Sequence, residues 1–177
     1  LNKTSMNGAV IQMVSHGLMT ALFFAAIGMI YSRTHTRMVA QLGGLLKAMP
    51  FISTVFVIAG LCSLGLPGFS GFVAEMTVFM GSWQNPDGAY RLATILAGAS
   101  IVVTAVYILR ATGRAIMGPI SAEHALLSDA TWNEKLAAVL LIIGILIIGL
   151  APFLINHLIM PSTDAIMLQM GKVNILK

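Results

Sequence analysis

Between Pro50 and Trp83 the chain runs for 34 residues with one charged side chain, Glu75. A single straight helix of that length would measure about 51 Å at 1.5 Å per residue. The hydrocarbon core of a bilayer is only about 30 Å thick. In the middle stands SLGLPGFSGFVAEM, Ser63 to Met76. Proline removes a helical hydrogen-bond donor and glycine lowers helix preference. Gly65, Pro67, Gly68 and Gly71 are therefore expected to divide the run into two half-helices joined by an irregular bridge. Backbone polar groups freed at that depth are tolerated only against protein or a wet cavity, so the break implies a polar path beside it.

Three further runs are long and apolar enough to span, at about residues 8–31, 90–117 and 136–159. No strand-length alternation accompanies them, and a bilayer accepts only helices or closed barrels. The expected fold is all-α: one polytopic transmembrane helix bundle over residues 1–177, with four spans and the second discontinuous. Pro152 is expected to kink the fourth span, and residues 161–177 to form a short interfacial helix. The chain opens with Leu1 and reads as the later part of a longer subunit. Composition agrees with a membrane protein: 58% of residues are hydrophobic and 9% charged, against about 25% charged in soluble domains. A soluble enzyme is excluded on that ground.

The net charge of +4 does not point to nucleic acid, because the basic residues flank the apolar runs. Arg33, Arg37, Lys47, Arg110, Arg114 and Lys135 fall on one side, and Lys3, Arg91, Lys172 and Lys177 on the other. The heavier side is assigned to the cytoplasm. The single cysteine, Cys62, allows no disulfide framework and no thiolate metal or iron–sulfur site. There is no phosphate loop, dinucleotide fingerprint or Ser/His/Asp arrangement, so the chain has no redox chemistry of its own, and no metal or cofactor site is expected.

The polar residues inside the spans carry what chemistry there is. Glu75 lies eight residues before Trp83, about 12 Å inside that interface at helical rise. An acidic group so deep costs at least about 2.5–3.5 kcal/mol on insertion scales, and such residues usually mark ion or proton pathways. A protonated structural glutamate is the weaker alternative. Gln12, His16 and Thr20 form a ridge at i, i+4 and i+8 on the first span. His16 is eight residues in, and histidine takes up and returns protons near neutrality. Ser100, Thr104 and Tyr107 share a face of the third span, where hydroxyls serve water or helix packing alike. His35, His124 and His157 fall in loops or at span ends and are assigned no chemistry.

GAVIQMVSHGLMTALFF (Gly8 to Phe24), YSRTHTR (Tyr31 to Arg37), LGGLLKAMP (Leu42 to Pro50) and SLGLPGFSGFVAEMTVFMGSW (Ser63 to Trp83) resemble the antiporter-like membrane subunits of respiratory complex I, the NADH:quinone oxidoreductase. Within them the chain is most similar to the subunit M, or subunit 4, branch. The resemblance implies a proton-translocating subunit whose last helices these are, with a titratable residue near the break. Glu75 matches that position, where sister branches carry lysine, and His16 matches a histidine on the family's midplane polar axis. NADH, flavin, iron–sulfur clusters and quinone would reside in partner subunits. The implied surroundings are other membrane subunits, lipid, protons and water in a bacterial plasma membrane, without nucleic acid. The alternatives are a subunit of a related sodium/proton antiporter or membrane-bound hydrogenase, and a non-conducting structural bundle.

Overall fold

The computed structural model describes residues 2–175, with side chains as far as residue 170. Among these residues there are seven helices and no strand: α1 Lys3–Thr34, α2 Leu45–Ala48, α3 Pro50–Ser63, α4 Ser70–Trp83, α5 Gly88–Ala115, α6 Trp132–Leu150 and α7 Pro152–Ile175. A 3₁₀ turn, Val39–Gln41, precedes α2. Helices α1, α5 and α6 are each long and apolar enough to cross a membrane.

Local chemistry sets the helix starts. Asn2 and Ser5 form a reciprocal capping box ahead of α1, and Thr131 and Glu134 do the same ahead of α6. The Asp87 side chain accepts from the Ala89 amide at 2.9 Å where α5 begins. Helix α3 has no such cap of its own. Its first residue, Pro50, has no N–H, and the Phe51 and Ile52 amides donate to Asp129 at 2.8 and 3.2 Å. Ser53 N–H donates to the Met49 carbonyl at 3.0 Å, which completes the first turn's donors.

α1 is the central post of the bundle, with α3, α4, α6 and α7 packed around it. Leu22, Ala26, Ile52, Val55 and Ile145 are wholly or almost wholly buried between these helices, and Phe23 meets Phe56 edge to face at 5.0 Å. At one end the loops on either side of α2 and α5–α6 interlock. Gly44 and Leu46 amides donate to the Met117 and Ile116 carbonyls at 3.0 and 3.1 Å. The Arg33 guanidinium donates to both Glu134 carboxylate oxygens, at 2.7 and 3.2 Å, and to the Ser128 and Asp129 carbonyls. At the other end Asn2 donates to the Gly81 carbonyl and Lys3 pairs with Asp164 at 2.8 Å. The side chains of Lys172 and Lys177, assigned to that end from the sequence, lie outside the described residues.

The fourth run differs from expectation. Instead of one kinked span over 136–159, α6 stops at Leu150 and α7 starts at Pro152, with Ala151 at φ −128°, ψ 58° between them. Proline disfavours the helical region for the residue before it, which turns the kink into a full interruption. Pro161 has the opposite outcome. It lies inside α7, which runs on to Ile175, so 161–175 is not a separate interfacial helix; residues 176 and 177 lie outside the described residues. Thr163 and Asn156, on either side of Pro161, contact Asn7 of α1 at 3.0 and 3.4 Å, so the helix is tied to α1 both before and after the missing donor.

Candidate functional site

The second run is interrupted from Leu64 to Phe69, between α3 and α4. Each half-helix has 14 residues, about 21 Å at 1.5 Å per residue, so the interruption sits about halfway across. Two residues of the bridge need positive φ, Gly65 at 63° and Gly68 at 97°, a conformation glycine adopts without steric cost. Gly71 is not in the break, as the sequence had suggested, but is the second residue of α4. Its hydrogen is what lets α4 overlap the end of α3: a Cβ there would lie 2.6 Å from the Cys62 carbonyl oxygen.

Glu75 stands in the second turn of α4, and its half-buried carboxylate is folded back against Gly65, so close that any Cβ on Gly65 would overlap it. The carboxylate opens onto a pocket of about 210 Å³ lined by Ser63, Leu64, Phe79, Ala97, Ser100 and Thr104 among others. Neither ion pair among the described residues, Lys3–Asp164 and Arg33–Glu134, involves Glu75. The pocket thus joins a lone carboxylate, hydroxyls from two helices and a stretch of non-helical backbone. The space is large enough to admit water against the carboxylate and these hydroxyls, the rest of its wall being apolar.

The structure unites some of the sequence-derived residues and separates others. Ser100 and Thr104 of α5 line the Glu75 pocket; their hydroxyls also donate to the Ala97 and Ser100 carbonyls of their own helix, at 2.6 and 3.3 Å. Tyr107 does not line it and is 54% exposed on the outer face of α5. His16 is exposed on α1, 3.4 Å from the Thr20 hydroxyl, and outside the pocket, so this chain does not bring it to Glu75. The Gln12 side-chain oxygen is buried without a hydrogen-bond partner among the described residues.

The contact that does join α1 to the break escaped the sequence reading. Ser15 and Ser70, exposed by only 2% and 0%, share a hydrogen bond of 2.7 Å, and Cys62 Sγ lies 3.8 Å from Ser70 Oγ. The available signal was a hydroxyl at the first helical position after a Pro-Gly break and another beside the ridge histidine.

A sequence model of the NADH:quinone oxidoreductase/Mrp antiporter transmembrane family matches residues 1–101. The chain belongs to that family. It is 37% identical over 171 residues to an NAD(P)H-quinone oxidoreductase chain 4 of Synechococcus elongatus, an alignment covering 95% of this chain and 32% of that protein. It is 40% identical over 161 residues to chain 4 of Acaryochloris marina, covering 86% and 30%. The chain therefore spans about a third of the length of these relatives. Among solved structures, respiratory complex I from Thermus thermophilus with bound NADH superposes with TM-score 0.82 at 24% identity, over 92% of this chain and 34% of that one. An archaeal respiratory membrane complex, the membrane-bound sulfane sulfur reductase, superposes with TM-score 0.76 at 26% identity, over 86% and 25%. The family match includes α1, both half-helices and the bridge, so every feature built around Glu75 except the later part of α5 falls inside it.

Proposed function

We propose that this chain supplies a broken-helix part of a proton-translocating membrane subunit in an NADH:quinone oxidoreductase, and that Glu75 is its proton carrier. The observation that supports this most directly is the position of the Glu75 carboxylate, between the non-helical bridge and a hydroxyl-lined pocket at half depth. Carboxylates inside spans are expensive and are characteristically retained on ion paths. Ser63, Ser100 and Thr104 orient water against the carboxyl group, and the Leu64–Phe69 bridge supplies backbone dipoles that a continuous helix would have consumed. Protonation and release at Glu75 then move charge through the pocket without any covalent chemistry in this chain.

His16 stands exposed on α1 between the part-buried Gln12 and Thr20, and in this reading the three continue the polar path into the rest of the subunit. Electron transfer takes place in partner subunits that hold the NADH, flavin, iron–sulfur clusters and quinone, and the assembly resides in a bacterial plasma membrane. A subunit of an ion antiporter or of a related respiratory complex is the second reading, favoured by the family's inclusion of Mrp antiporters and by the archaeal fold likeness.

The test is Glu75→Gln in the whole reconstituted complex, which keeps shape and hydrogen bonding and removes titration. Quinone reduction with protons per electron reduced is the expected result. Undiminished pumping with glutamine at this position rules Glu75 out as the carrier. Dependence of transport on sodium rather than pH would favour the antiporter reading.

A further inference from the structure

The interruption of the fourth run lies directly against the interruption of the second. Pro152 lacks the N–H that the Ile148 carbonyl would otherwise accept, and α6 ends two residues before it. Gly149, in that last turn, abuts the Leu64–Phe69 bridge. A Cβ on Gly149 would overlap the Gly68 carbonyl oxygen and lie 2.6 and 2.7 Å from the carbonyl carbons of Gly68 and Phe69. Cβ atoms essentially never approach within 3.0 Å, and the obstacle here is backbone, which has no rotamer with which to withdraw. Gly68 is itself at φ 97°, a backbone conformation that glycine adopts without steric cost.

The packing around the second interruption leads to the same place. Ile148 and Ile155, on either side of Ala151, pack in one buried cluster with Ile11 of α1 and Ala74 of α4. Ala74 is fully buried and is the residue before Glu75. The bridge therefore has Gly149 at its Gly68 end and the Glu75 carboxylate at its Gly65 end.

We infer that Gly149, together with the interruption at Ala151, is a positioning element for Glu75: the end of α6 seats the Gly68 carbonyl and thereby fixes how Gly65 meets the carboxylate. The consequence for pumping rests on the proton-carrier reading above; the positioning itself does not. A methyl at 149 displaces the bridge, and the change reaches Glu75 along the three-residue backbone path from Gly68 to Gly65 rather than through any contact with Gly149.

The experiment uses the whole complex in vesicles, with the carboxyl C=O stretch of Glu75 read by infrared difference spectroscopy and assigned by its loss in Glu75→Gln. In Gly149→Ala that band is expected to shift and protons moved per electron to fall. In Gly144→Ala, where an added Cβ would meet only Leu18 methyl groups at 3.4 and 3.7 Å, both are expected to stay unchanged. Pro152→Ala adds no bulk at the contact and restores the missing donor, so helix propagates through Ala151 and draws α6 off the bridge. It is expected to shift the band too, and it decides the matter if Gly149→Ala does not assemble. An unmoved Glu75 band in the assembled variants overturns the inference, even where Glu75→Gln abolishes pumping. Normal pumping in Glu75→Gln overturns the carrier reading instead, while a band shift in Gly149→Ala would still uphold the positioning.

Discussion

Asp129 holds the start of α3 from across the bundle, and its removal has a size that can be worked out from the contacts. Its carboxylate accepts from Phe51 N–H at 2.8 Å, Ile52 N–H at 3.2 Å and Ala130 N–H at 2.8 Å. Losing an N-terminal cap costs about 1 kcal/mol, and a partly buried amide left without a partner costs about 1–3 kcal/mol more. The carboxylate also faces the positive end of the helix dipole, worth about 0.3–1 kcal/mol. Asp129→Ala is therefore expected to weaken the first turn of α3 by about 3 kcal/mol, close to a hundredfold in the local opening equilibrium at about 1.4 kcal/mol per tenfold. Asp129→Asn keeps an acceptor and loses the charge, so about 1 kcal/mol and about fivefold is expected. Hydrogen–deuterium exchange of the 49–55 peptide in the assembled complex reads this directly, with the 72–83 peptide of α4 as internal reference. Wild-type exchange of the Phe51 and Ile52 amides in Asp129→Ala would show that the cap does not hold α3, and the reasoning would fail.

Two other perturbations bear on the site. Ser70→Ala leaves the Ser15 hydroxyl buried without its 2.7 Å partner and is expected to cost about 1–3 kcal/mol; the double variant Ser15→Ala/Ser70→Ala should cost less than the two single changes added together, measured by denaturation of the purified complex. Gly65→Ala places a methyl on the Glu75 carboxylate at a residue with φ 63°, so proton pumping is expected to fall although Glu75 is unchanged; a wild-type ratio of protons to electrons in that variant would mean that the contact has no influence on transport.

What the sequence could show depended on how far apart the cooperating residues lie. The broken span was legible because its causes are adjacent: a length mismatch, one proline, two glycines at positive φ and a carboxylate in the second turn beyond them. The long-range clamps, one on the start of α3 and one between α1 and α6, were not. Asp129 is 78 residues from Phe51, and Glu134 is 101 from Arg33, separations over which no periodicity or spacing carries information. The two prolines of the last run show the same limit. Pro152 ends a helix and Pro161 does not, although both stretches pack on α1: Thr163 and Asn156 reach Asn7, and Ile148 and Ile155 flank the non-helical Ala151 against Ile11.

The first span marks the boundary most sharply. Gln12, His16 and Thr20 do form a ridge on a helix, but a ridge fixes only the phase of a face and not what lies opposite it. Adjacent residues on a helix point about 100° apart, so Ser15 and His16 cannot both address the break. The structure gives that side to Ser15, which is buried against Ser70, together with Ile11 and Leu22, and turns His16 outward. The direct hydrogen-bonded route from α1 to the break thus passes through a serine pair that does not titrate near neutrality. A titratable connection between His16 and Glu75 has to go around α1 rather than through it. Replacing His16 should consequently leave the geometry of the Glu75 pocket intact, whereas replacing Ser15 or Ser70 should disturb the first turn of α4, which carries Glu75 in its second.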